Sequence, residues 1–245
     1  GKLWKFDMTD VDDAQWKVAF SGAPLFAATG PASLGSARSL KQPIVAPPIV
    51  RPNDRLKTVG SGTSQTAVRV GGMMVAFGTG RNVAKDDQKS NAVQTLYSVL
   101  DNTRYRTVTT SLGKRLQVHP GGGTCSPVPK EDCAPTPAAL GTGVSTAKLA
   151  KRSIADDSIP YQAIQKDENL DWSVNNGWYL DLPATGERLL KPMSFYDGSN
   201  ILTMYSQVPA KGSDADPNVE SCDTISVDEE RQYRTFINIM DGAAP

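Results

Sequence analysis

The sequence predicts an all-β chain, and three observations carry that prediction. Apolar stretches with a period of two recur along it. In GKLWKFDM (Gly1 to Met8), Leu3, Lys5 and Asp7 alternate with Trp4, Phe6 and Met8, the mark of a strand with one buried face. Many of these stretches end at Asp or Gly, residues that supply turn chemistry. Gly and Pro number 21 and 17 of 245 residues, above their combined average usage of about 12%, so turns are many and long helices few.

The elements follow in order. GKLWKFDM reads as the first strand. QPIVAPPIVR (Gln42 to Arg51) holds three prolines, each without an amide hydrogen, so it must be an edge or bulged strand. GGMMVAFGTG (Gly71 to Gly80) and QTLYSVL (Gln94 to Leu100) read as strands, as do GWYLDLPATGER (Gly177 to Arg188) and YRTFINIMDGA (Tyr233 to Ala243). In SNILTMYSQV (Ser199 to Val208), Ile201, Thr203 and Tyr205 share one face and Leu202, Met204 and Ser206 the other, and either could be buried. The stretch from Arg104 to Leu170 is less regular. It reads as an insertion on the β framework, part loop and part short helix, and so as a place where function can sit. A polar loop spans Lys211 to Asp223. Repeated four-stranded sheets suit a β-propeller, though a sandwich would use similar segments.

Charge and length exclude several classes. Lys plus Arg and Asp plus Glu both number 26, for zero net charge. Dispersed charge of this kind argues against a dedicated nucleic-acid binder, which needs concentrated positive charge. No run reaches the ~18 apolar residues of a membrane-spanning helix. The chain opens without a leader pattern or an initiator Met, which leaves secretion open.

Several of these stretches together resemble one family, the C-terminal β-propeller domain of PilY-type (PilC-type) type IV pilus biogenesis factors and tip adhesins. GKLWKFDM is similar to the strand after that family's calcium loop, and KQPIVAPPIV (Lys41 to Val50) to its proline-rich first blade strand. MMVAFGTGRNVAKDDQKSNAVQTLYSVLDN (Met73 to Asn102) is the most specific match, with GWYLDLPATGER second and the run from Val208-Pro209 to Cys222 third. The resemblance implies a modified propeller of several four-stranded blades. Residues 1–245 would form part of the ring, with the insertion at about 104–170 inside it. The family's calcium loop itself is absent from these residues. Trp4, Phe77, Tyr97, Trp178 and Tyr179 are expected to wedge between blades, each burying roughly 150–250 Å². Gly78, Gly80 and Gly186 are expected to close turns.

Candidate sites are few. His119 is the one histidine, too few for a multi-His zinc site, and HPGGG reads as loop. FGTGRN (Phe77 to Asn82) has G-x-G after a strand but Val83 where a dinucleotide fingerprint needs a third glycine, so it reads as a turn. Cys125 and Cys133 are read as a local disulfide against two free thiols, and Cys222 is the odd cysteine. Asp214, Asp216, Asn218 and Glu220 alternate as calcium ligands would, but Pro217 interrupts them and a solvated loop is the competing reading. Asp7, Asp10, Asp12 and Asp13 form a second acidic patch, read as a strand terminus. Lys148, Lys151 and Arg152 read as a small basic helix face.

The function these features imply is non-enzymatic. The resemblance implies pilus assembly and attachment, with minor pilins at the pilus tip and host or abiotic surface receptors as partners. It places the protein outside the bacterial cell or on the outer membrane. No cofactor is expected in this segment, and calcium is implied for the intact family protein. The alternatives are a quinoprotein-like propeller oxidoreductase and a purely structural envelope scaffold.

Overall fold

The structure, a computed structural model, describes residues 1–30, 42–111, 113–122, 134–155, 163–210 and 230–245. At the N-terminus, β1 (Lys2–Leu3), β2 (Phe6–Asp7), β3 (Lys17–Val18) and β4 (Phe26–Ala27) form two short antiparallel ribbons, β1 with β4 and β2 with β3. The stretch read as one strand is therefore two. Each half has a different partner, and Trp4 between them is 43% exposed rather than wedged between sheets.

β5 (Ile49–Pro52) leads to the hairpin of β6 (Leu56–Val59) and β7 (Thr66–Arg69). β8 (Met73–Gly78) and β9 (Thr95–Asp101) follow, then the hairpin of β10 (Tyr105–Thr110) and β11 (Gly113–Val118). Next come β12 (Ala150–Ile154), β13 (Ile164–Gln165) and β14 (Gly177–Asp181). β15 (Ser194–Phe195), β16 (Ile201–Val208) and β17 (Arg231–Asn238) complete the set.

Six of these strands form one sheet in the order β13-β12-β14-β9-β8-β5, parallel only between β12 and β14. β5, which follows Pro47 and Pro48 and ends at Pro52, takes the edge, where a missing amide hydrogen disturbs no second ladder. β15, β16 and β17 make a three-stranded antiparallel sheet.

The six-stranded sheet is covered on both faces, which explains why β9 is buried along its whole length. On one face Met74, Ala76, Leu96, Trp178 and Leu180 pack with Leu202, Met204 and Ile237 of the three-stranded sheet. That contact settles which face of β16 is inward: the even-numbered side of Leu202, Met204, Ser206 and Val208 is buried, while Tyr205 is exposed. On the other face Val75, Phe77, Tyr97, Val99 and Tyr179 pack with Leu25, Phe26 and Ala28 and with the short helix Gly143–Ala147. Phe26, Phe77 and Tyr97 form a ring cluster there, with centroids 5.1 to 6.1 Å apart.

The chain is thus built from successive sheet layers, the all-β architecture the sequence predicts. The layers are unequal, however, with six, three and two strands. One reason lies in the 104–170 stretch, which is not a simple insertion. β10 and β11 form a regular hairpin of six residue pairs, and β12 enters the six-stranded sheet beside β14. The three residues Lys148, Lys151 and Arg152 correspondingly form no helix face. Lys148 caps the short helix in a left-handed conformation, and Lys151 and Arg152 lie on a strand, with Arg152 1% exposed.

Polar side chains fasten these layers. Trp178 Nε1 and Ser98 Oγ both donate to the Ile239 carbonyl, at 3.0 and 2.7 Å. The Tyr97 hydroxyl donates to Gln42 Oε1, and Gln42 Nε2 donates to Thr95 Oγ1 at 2.8 Å. At Gly177 (φ +121°) a Cβ would stand 2.1 Å from the Ser98 carbonyl oxygen, so only glycine admits the close pairing of β14 with β9.

Candidate functional site

A groove of about 800 Å³ opens between the ribbon β2/β3 and the hairpin β10/β11. Local aspartate chemistry shapes its first wall. Asp7 Oδ1 accepts from the Thr9 amide and hydroxyl at 3.2 and 2.7 Å, and Asp10 Oδ1 from the Asp12 amide at 3.0 Å. Asp12 Oδ1 caps the 3₁₀ turn Asp13–Gln15 by accepting from the Ala14 amide. Short acidic side chains folding their own backbone in this way are turn devices. Phe20 and Ser21 then take φ of +55° and +56°, a conformation costing an L-residue roughly 1–2 kcal/mol each.

The second wall is anchored to the six-stranded sheet through Asp101, the last residue of β9. Its carboxylate accepts from the Thr103 amide and hydroxyl at 3.0 and 2.6 Å and pairs with Lys5 Nζ. The same ammonium lies 5.7 Å from the Phe20 ring and 5.6 Å from the Tyr105 ring. Lys5 therefore ties both walls together, in a geometry where cation and ring faces attract. Phe6, Met8 and Leu116 line the groove and are each more than half exposed. Large apolar side chains grouped in a groove suit capture of another molecule's apolar surface.

A second constellation joins the two motifs most specific in the sequence. Arg188, 3% exposed, donates from Nε to the Gly186 carbonyl at 3.0 Å and from Nη1 to the carbonyls of Arg81 and Asp87 at 2.8 and 2.7 Å. Its Nη2 donates to the Ser90 carbonyl at 2.9 Å. The Asp87 carboxylate takes a forked bond from Arg81 and accepts the amides of Val83 and Ala84. The Arg81 guanidinium and those amides hold its pKa well below the usual carboxylate range. Beside Arg188, Glu187 accepts from the Ala184 amide at 3.0 Å and from the Ser206 hydroxyl. Burial pushes the Glu187 pKa up. Gly80 belongs to the same knot: its φ is +143°, and a Cβ there would stand 2.5 Å from Arg188 Cβ.

The residues singled out in the sequence fall in different places. His119 is a buried loop residue at the end of β11, where its Nδ1 accepts from the Gly121 amide at 3.0 Å. FGTGRN is a turn that opens the loop fastened by Arg188. Gly186 sits at a positive-φ turn. Phe77, Tyr97, Trp178 and Tyr179 are buried between layers. Three of the four acidic side chains at Asp7, Asp10, Asp12 and Asp13 serve backbone turns. Cys125, Cys133 and Cys222 lie outside the described residues, as do Asp214, Asp216, Asn218 and Glu220. Among the described residues, no three of His, Cys, Asp and Glu gather as a metal ion would require. No helix there is long and apolar enough to cross a membrane. Sequence reasoning missed the Lys5–Asp101 pair and the Arg188 fan, since both join residues far apart in the chain.

No protein-family model matches the chain, and no curated protein matches it significantly. Among solved structures it is similar to the Pseudomonas aeruginosa PilY1 C-terminal domain, with a TM-score of 0.50 and 19% identity. That match covers 99% of this chain and 42% of the solved one. The layered β architecture and the resemblance read from the sequence point the same way: this chain has a fold similar to part of the PilY1 C-terminal domain, which is a β-propeller.

Proposed function

We propose that the chain is a binding module of a type IV pilus-associated protein, working by recognition rather than catalysis. The observation that carries this reading is the fold shared with the PilY1 C-terminal domain over 99% of the chain. The groove between β2/β3 and β10/β11 is its recognition surface. Lys5 and Asp101 tie its two walls together, and the exposed apolar side chains of Phe6, Met8 and Leu116 stand in it beside exposed polar ones such as Asp10, Lys17 and Gln117. Loop-borne recognition on a rigid scaffold is a common division of labour. Minor pilins at the pilus tip are the protein partner, with host or abiotic surface receptors as further ligands. Its place is outside the bacterial cell, at the pilus or the outer-membrane surface.

The test is excision of the hairpin in cells. The His119 amide donates to the Arg104 carbonyl at 2.8 Å, so residues 105–118 can be replaced by a short linker. Removing all of 104–170 would take β12 from the sheet and is no test of binding. The hairpin-deleted protein is expected to accumulate normally and to lose piliation or attachment. Normal piliation and attachment would overturn the proposal.

A further inference from the structure

A second cleft, of about 360 Å³, lies away from the groove, where Arg55, Arg152, Lys166, Trp172 and Asp241 meet. Three cations face one carboxylate there. Arg152 is 1% exposed, and on β12 it shares the inward face with Ala150. Its Nε donates to the Asp241 carbonyl at 2.8 Å, and its Nη1 to the carbonyls of Lys151 and Glu168 at 2.6 and 2.8 Å. These bonds fix the guanidinium plane and leave Nη2, at the cleft, without a hydrogen bond among the described residues.

Arg55 supplies a second unmet donor. Its Nε is buried with no hydrogen-bond partner, the Asp54 carboxylate standing 3.8 Å away, and its Nη2 stands 3.7 Å from Asp241 Oδ2. Lys166 is exposed, and among the described residues its ammonium meets neither a hydrogen bond nor an ion pair. Buried donors are satisfied in the great majority of native groups, so the buried, unpartnered Arg55 Nε calls for an acceptor, and Arg152 Nη2 on the same cleft can share it. The planar fork of a guanidinium matches a carboxylate. Trp172 and Leu170, packed against the core, give the cleft an apolar wall. The carboxylates that surround the two guanidiniums, Asp54 and Asp241 at Arg55 and Asp167, Glu168 and Asp241 at Arg152, disfavour a dianion, and the volume suits a group of amino-acid size.

We propose that this cleft binds a monocarboxylate carried on an apolar body: either the free C-terminal residue of a polypeptide or a small aryl or alkyl acid. The test is calorimetric titration of the 245-residue chain with N-acetyl-phenylalanine and with 3-phenylpropionate. N-acetyl-phenylalaninamide and inorganic phosphate are the controls. Tighter binding of N-acetyl-phenylalanine assigns a chain terminus, and tighter binding of phenylpropionate a free acid. Lys166→Gln, at an exposed position that leaves folding intact, is expected to weaken binding about tenfold or more, as is Arg55→Ala. Four results would overturn the proposal: no binding of either acid, equal binding of the amide, phosphate binding as tightly as the acids, or unchanged affinity in both variants.

Discussion

The Arg188 guanidinium donates to the backbone carbonyl of Asp87 at 2.7 Å across 101 residues of sequence. Arg81 holds the carboxylate of that same aspartate. One residue is therefore gripped at both ends by two arginines, and the loop from 81 to 90 is fixed to the segment that bridges the layers. That bridge is visible in the backbone: the Leu189 amide donates to the Thr79 carbonyl, and Arg188 exchanges amide bonds with Gln207.

Replacing Arg188 by Ala removes donors to four carbonyls at once. Stability measured by urea unfolding is expected to fall by at least about 1–3 kcal/mol, the cost of leaving a buried acceptor without its donor. Arg188→Lys is expected to lose most of the same amount, because a single ammonium cannot reach carbonyls on opposite sides of the fork.

Asp87 gives an acid-dependent signature. Its pKa is depressed in the folded state, so its contribution is present above the ordinary carboxylate range and is lost as pH falls through the lower folded value. Asp87→Asn is expected to lower the melting temperature at pH 7. The gap to the native chain should narrow steadily at acid pH. A gap that does not depend on pH would contradict the assigned role.

Glu187 has the opposite sign. Burial raises its pKa, so the charged form weakens the fold above the ordinary carboxylate range, and protonation relieves that cost as pH falls. In Glu187→Gln the amide can still accept from Ala184 and donate to Ser206 Oγ. The variant is expected to gain stability over the native chain at pH 8 and to lose that advantage near pH 4, as measured by unfolding at the two pH values.

Gly177→Ala tests the close pairing of β14 with β9. The added methyl would meet the Ser98 carbonyl at 2.1 Å in a backbone region closed to L-residues. A loss of at least ~1–3 kcal/mol is expected. Hydrogen exchange should quicken first at Ser98 and Val99, whose backbone faces the substitution.

Much of this fold was legible in the sequence, because a strand's signals are local. The period-two runs located β8, β9, β14, β16 and β17, and the prolines before β5 placed it at an edge. What could not be read was set by contacts distant in sequence. Nothing local says that the first strand is interrupted at Trp4, or that β12 pairs with β14 and turns Arg152 inward. Likewise Arg188 reads only as the end of a turn until the loop it holds is seen 101 residues away. The groove was half visible: its hairpin lies within the 104–170 stretch read as a functional excursion. Its opposite wall depends on Lys5 and Asp101, 96 residues apart.

Recognition through that groove is the central proposal for this chain. The most direct test is the affinity of the 245-residue chain for purified minor pilins, measured by biolayer interferometry with the Phe6→Ser/Leu116→Ser double variant alongside. Both positions are exposed, so the variant should unfold within about 1 kcal/mol of the native chain. Saturable binding by the native chain is expected, with at least a tenfold loss in the variant. Equal affinity for the two proteins, or no binding by either, would contradict it.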